Sequence, residues 1–169
     1  GLVMKLFYLS VRSWLLASVL LLIVSLFIIP AFAQASIMEG TYKLVSRTLP
    51  DGTVLYPPDV TGLFTMMNGY RTVNVTWKDA EGKILSISHG VSYKLTATEV
   101  SETNLFFIYP EGDKVIYDVS SQSGTSPITV EDGRIQLKFP LDDPAIVFEG
   151  NTQTATIEGA FVDVWEKVQ

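Results

Sequence analysis

Few residues in this chain of 169 could carry chemistry. There is one histidine, His89, and no cysteine. Disulfides, thiolate metal sites, cysteine nucleophiles and any site needing two imidazoles are therefore excluded. His89 shares an alternating series with Leu85, Ile87, Val91 and Tyr93, so it is expected to point inward. Its functional reading is a polar handle or general base inside a cavity. The plainer reading, a neutral core histidine bonded to a neighbouring strand, is favoured because no second catalytic partner can be placed beside it. Serines and aspartates are plentiful, but no Gly-x-Ser-x-Gly elbow occurs. Asp142-Asp143, between Pro140 and Pro144, is the tightest carboxylate pair. It lacks the spacing of a calcium loop and reads as a solvated turn. Asp118 is expected to face solvent, because Val115, Tyr117 and Val119 alternate with it. Arg71 directly follows the Gly69-Tyr70 turn and is expected to sit by the rim of a closed sheet. There it could receive a ligand carboxylate, although a surface arginine is the commoner case.

The elements that position these residues read as strands. From Gly40 onward, β-rich runs are separated by Asp51-Gly52, Asn68-Gly69, Glu81-Gly82, Glu111-Gly112, Ser123-Gly124, Asp132-Gly133, Glu149-Gly150 and Glu158-Gly159. Glycine reaches positive φ without a Cβ clash, so it recurs where antiparallel strands reverse. Between turns the period is two, as in Val73-Val75-Trp77, Leu105-Phe107-Tyr109, Val115-Tyr117-Val119 and Ile135-Leu137-Phe139. Phe161 to Val168 forms a final strand. No helical stripe follows Pro30. Tyr56 to Asp59 and Ser120 to Pro127 read as loops. The predicted fold is all-β: an antiparallel up-and-down barrel of about 8–10 strands, in which closure removes exposed sheet edges. A sandwich would need longer crossovers than the local spacing allows.

Aromatic residues are the richest feature. Alternation predicts that an inner wall would include Trp77, His89, Tyr93, Phe107, Tyr109 and Tyr117, which suits flat or lipidic molecules. The competing expectation is a barrel filled by its own side chains, as eight strands allow.

Short motifs carry a family resemblance over most of residues 40–167. Gly40-Thr41-Tyr42-Lys43-Leu44-Val45-Ser46 resembles the opening of bacterial lipocalin-like domains, a calycin-type barrel family. Asp51-Gly52-Thr53 through Tyr56-Pro57 to Gly62-Leu63-Phe64 is similar to the family's next segment, and Asn68-Gly69-Tyr70 to its following turn. Gly90 to Leu95, Glu99 to Glu102 and the Trp165-Glu166-Lys167 ending fit the same pattern. Tyr42 stands where the family usually has tryptophan. The resemblance implies that Tyr42 plugs one barrel end, with a hydroxyl that needs a partner. It also implies an apolar interior, and no defined activity.

The N-terminus reads as an export signal. Residues 1–3 precede Met4 as an upstream remnant, and Lys5 and Arg12 supply the basic region. Trp14 to Ile29 is an uncharged apolar run ended by Pro30, and Ala31-Phe32-Ala33-Gln34-Ala35 offers cleavage after Ala33 or Ala35. An uncleaved anchor is the alternative, although the run is short for a span. The expected division is a signal-peptide helix over 1–35 and a barrel domain over 36–169. Two of the 12 basic residues lie in the leader, leaving 10 against 18 acids and a net charge of −8. A surface of that sign argues against nucleic acid or anionic lipid. The sequence thus predicts a periplasmic or secreted protein with no cofactor and no metal, binding a small hydrophobic ligand in its barrel. The alternatives are an isomerase- or cyclase-like barrel enzyme on a lipid-like substrate, or an envelope interaction module with a filled core.

Overall fold

A computed structural model describes residue 35 and residues 37–168. The expected leader, Ala35 apart, lies outside the described residues. Ile37 and Met38 end a helical turn, and twelve strands follow: β1 (Gly40–Thr48), β2 (Val54–Leu55), β3 (Val60–Met67), β4 (Tyr70–Lys78), β5 (Ile84–Leu95), β6 (Glu99–Glu111), β7 (Lys114–Asp118), β8 (Ser123–Glu131), β9 (Arg134–Lys138), β10 (Ala145–Glu149), β11 (Thr152–Ile157) and β12 (Phe161–Lys167). All pair in one antiparallel sheet, and β12 pairs with β1. Ten strands close the barrel in up-and-down order; β2 extends the edge of β1 and β7 that of β6.

The hairpins reverse where expected. Asn68 and Gly69 have φ of 54° and 79°, and Asp132 and Gly133 have 51° and 76°. Positive φ at both central residues gives a turn whose twist matches that of its strands. The expected loop over Ser120 to Pro127 is corrected. Strand β8 begins at Ser123, and Gly124 lies within it, where an added Cβ would stand 2.9 Å from Pro140 Cβ. Pairing with β6 extends that polar stretch despite its loop-like composition.

Two bulges change which side chains face inward. In β1, Leu44 pairs with Trp165 and Ser46 with Val164, so Val45 is the extra residue. In β6, Gly90 pairs with Phe106 and Val91 with Asn104, so Leu105 is extra. Each insertion shifts the alternation by one. Tyr42 and Leu44 face in below the first bulge, and Arg47 above it. Val100, Glu102 and Asn104 are buried below the second, and Phe107 faces in above it.

One end of the barrel is packed shut. Tyr42 lies there at 0% exposure, among Met38, Met66, Phe64 and Phe148. Its ring meets Phe64 and Phe148 edge-on at centroid distances of 5.6 and 5.8 Å. Its hydroxyl donates to the Ile37 and Met38 carbonyls at 2.9 and 3.2 Å. Burial of that hydroxyl pushes its pKa up to about 12. The other end carries the tips of β1, β4, β9 and β11, and the interior there is open.

Candidate functional site

Barrel width grows with strand number, and ten strands enclose more room than side chains fill. The result is a cavity of about 470 Å³. Its mouth lies among Leu49, Asp79, Ala80, Pro144 and Ala160, all at strand tips of the open end. Phe64 lines it and meets Tyr42 on its other side, so the cavity rests on the packed end. Strand β4 contributes Arg71, Val73, Val75 and Trp77, one unbroken alternating face.

Of the wall residues expected from alternation, Trp77, His89 and Phe107 line the cavity, and Arg71 lines it too. The rest lie elsewhere. Tyr109 is half-buried and stacks behind Phe107, with centroids 4.7 Å apart, outside the cavity lining. Tyr93 belongs to the packed core, and its hydroxyl donates to the Glu39 carboxylate. Burial, and then that carboxylate, push the Tyr93 pKa upward. Tyr117 is corrected: it is 69% exposed. Strand β7 pairs Tyr117 with Ile108 and Ile116 with Tyr109. Cross-strand partners share a face, so the Val115-Tyr117-Val119 series turns outward. The same register puts Asp118 opposite Phe107, with its carboxylate exposed and accepting from the Ser120 N–H.

Arg71 is also corrected. It is 1% exposed, not at a rim. Its Nε donates to Glu102 Oε1 at 2.6 Å and its Nη1 to Asp142 Oδ2 at 2.8 Å. Its guanidinium carbon lies 4.3 Å from the centroid of the Phe139 ring. Burial works against its charge, but Asp142 and Glu102 outweigh burial and raise its pKa. Asp142, read from sequence as part of a solvated turn, reaches in from the β9–β10 loop and joins Arg71 to His89, whose Nδ1 lies 2.6 Å from Asp142 Oδ1. Burial pushes the Asp142 carboxyl up, yet Arg71 and His89 together hold it below the usual range. For Glu102 the balance reverses: burial outweighs Arg71 and raises its pKa.

His89 is fully engaged. Its Nε2 lies 3.2 Å from Asn104 Oδ1, and the Asn104 amide nitrogen donates to the Asp118 and Ser120 carbonyls. Both ring nitrogens are therefore engaged within the protein, and neither is left facing a molecule in the cavity.

Sequence reasoning missed a second ion pair. Arg47 donates through Nε and Nη2 to both carboxylate oxygens of Asp163, at 2.6 and 2.7 Å. The guanidinium carbon sits 4.1 Å from the Phe161 ring centroid and 5.5 Å from that of Trp77. Burial outweighs Arg47 and raises the Asp163 pKa. Alternation from Tyr42 would have sent Arg47 outward; the bulge at Val45 turns it in. A signal for Asp163 did exist, since it alternates with Phe161 and Trp165. Arg71 and Glu102 also share parity with Val73 and Val100.

Among the described residues, four buried polar atoms have no hydrogen-bond partner: Arg71 Nη2, Glu102 Oε2, Gln153 Oε1 and Trp165 Nε1. Among the described residues no cluster of three or more acidic or histidine side chains is arranged to hold a metal ion. In chemical terms, the site is an apolar, aromatic-walled container with two internally neutralised arginine clusters. No family model, curated protein or solved structure matches the chain.

Proposed function

We propose that this protein is an exported lipocalin-like binding protein that holds a small hydrophobic ligand in its barrel. The observation that carries the reading is the cavity. At about 470 Å³ it falls within the roughly 300–1,000 Å³ of small-molecule sites. Its wall combines Val73, Val75, Trp77, Phe64 and Phe107 with a few fixed polar groups, the usual make-up of such sites. The basic, apolar and small-residue order of the first 35 residues supports export. The opening Gly-Thr-Tyr-Lys-Leu-Val-Ser motif and the closed barrel support the lipocalin-like affinity.

A barrel enzyme is the second reading, favoured by one observation: the His89–Asp142 hydrogen bond beside the cavity. Acid–base work needs a ring nitrogen free to exchange a proton with substrate, and both are occupied. Binding therefore leads.

Trp77 supplies the test. In a Trp14→Phe, Trp165→Phe background, titration with fatty acids, retinoids and flat aromatic molecules should shift its emission saturably. No saturable change across that panel would overturn the binding reading.

A further inference from the structure

The charges around the cavity constrain what it can hold. Each arginine and lysine lining it already faces a carboxylate, as does His89. Arg47 faces Asp163, Arg71 faces Glu102 and Asp142, His89 faces Asp142, and Lys78 faces Asp59. Further carboxylates, Asp79 and Asp143, stand at the mouth. An anionic ligand would meet no uncompensated cation and would surrender its hydration on entering.

Arg47 Nη1 is a donor left for a ligand. Arg47 spends Nε and Nη2 on Asp163, and its Nη1 has no bond among the described residues. Arg71 Nη2 is unbonded but fully buried, whereas the Arg47 side chain lines the cavity and keeps some exposure. Stacking on Phe161 and Trp77 fixes the plane in which Nη1 points. Resting on the binding reading above, we infer that the ligand is an uncharged apolar molecule with a hydroxyl or carbonyl oxygen that accepts from Arg47 Nη1. Asp163 is then a specificity-determining residue: by neutralising Arg47 it turns a carboxylate-binding cation into a donor for neutral oxygen.

Retinol and retinoic acid share a skeleton and differ in the charge of the head group, so they form the probe pair. At pH 7 the purified protein should bind retinol at least about tenfold more tightly, because burying a carboxylate without a free counter-ion is costly. Asp163→Asn leaves Arg47 unpaired, and retinoic acid should then gain about tenfold, as for a newly available charge-assisted hydrogen bond. Retinol should change little. Equal or tighter binding of retinoic acid to the unmodified protein would overturn the inference while leaving the binding reading in place. Neither molecule binding saturably would overturn both. An unchanged affinity ratio in folded Asp163→Asn would remove Arg47 as the contact. Should that variant not fold, Arg47→Met/Asp163→Leu removes the pair without orphaning a charge. Retinol should then weaken with no gain for the acid, and undiminished retinol binding would refute the assignment.

Discussion

Tyr42 offers the sharpest test of how the barrel is closed. It is fully buried, wedged edge-on between Phe64 and Phe148, and its hydroxyl reaches two carbonyls of the N-terminal turn. Two substitutions separate these contributions. Tyr42→Phe keeps the ring and leaves the buried Met38 carbonyl without its phenol donor, while Lys167 Nζ still donates to the Ile37 carbonyl; this should cost about 1–3 kcal/mol. Tyr42→Ala also removes the ring from a packed site whose neighbours are anchored on separate strands and can only partly collapse. The total should be about 3–5 kcal/mol. Urea unfolding followed by tryptophan fluorescence measures both. Alkaline pH gives an independent reading. Burial raises the Tyr42 pKa from 10.0 to about 12. Stability from keeping the phenol protonated is therefore complete below pH 10 and lost as pH rises through 12. Two pKa units correspond to about 2–3 kcal/mol. Tyr42→Phe should fall less steeply over that window, with the decline due to Tyr93, which is also shifted upward, still present. A loss below about 1 kcal/mol for Tyr42→Ala, the scale of ordinary surface changes, would refute the plug.

Asp142→Asn should lower stability at pH 7 by about 3 kcal/mol, since it strips a partner from buried Arg71 and His89. The Asp142 carboxyl sits below its ordinary range, so its stabilisation exists above about pH 4 and vanishes as pH falls further; the variant's acid limb should flatten there. Glu102 and Asp163 are shifted up, so each contributes most when protonated and loses that contribution as pH rises through its folded pKa; Glu102→Gln should blunt that loss in a pH series of urea midpoints. Gly62→Ala should destabilise by about 1–3 kcal/mol through overpacking, because the new methyl would stand 2.8 Å from both the Asn74 carbonyl oxygen and Trp165 Cη2; an unchanged urea midpoint would contradict that geometry. On the proposed export reading, the mature protein should begin at Gln34 or Ser36, and an intact mass that retains residues 4–33 would point instead to an anchor.

Local patterning alone determined the barrel class, most of the strands and most of the hairpin turns, the Ser123-Gly124 turn signal apart, which lies within β8. Alternation and glycine turns act within a few residues, and a run of short antiparallel strands has few ways to hide its edges. The inward series Val73-Val75-Trp77 and Ile87-His89 could be read for the same reason, because no bulge interrupts those spans. Tertiary pairing decided the rest. Val45 and Leu105 look like any other strand residues in sequence, yet each is the unpaired residue of a bulge, and each reverses the faces beyond it. That phase change brings Arg47 inward to Asp163, across a closure between the first and last strands of the barrel. Tyr117 faces out because β7 pairs with β6 in a register that its own alternation does not encode. Asp142 sits on a loop whose composition signals solvent, and only the buried polar groups of Arg71 and His89, from two other strands, draw it in. A strand's periodicity is written in its own residues, whereas its phase, its partners and the counter-ions of its buried charges belong to chain segments far away in sequence.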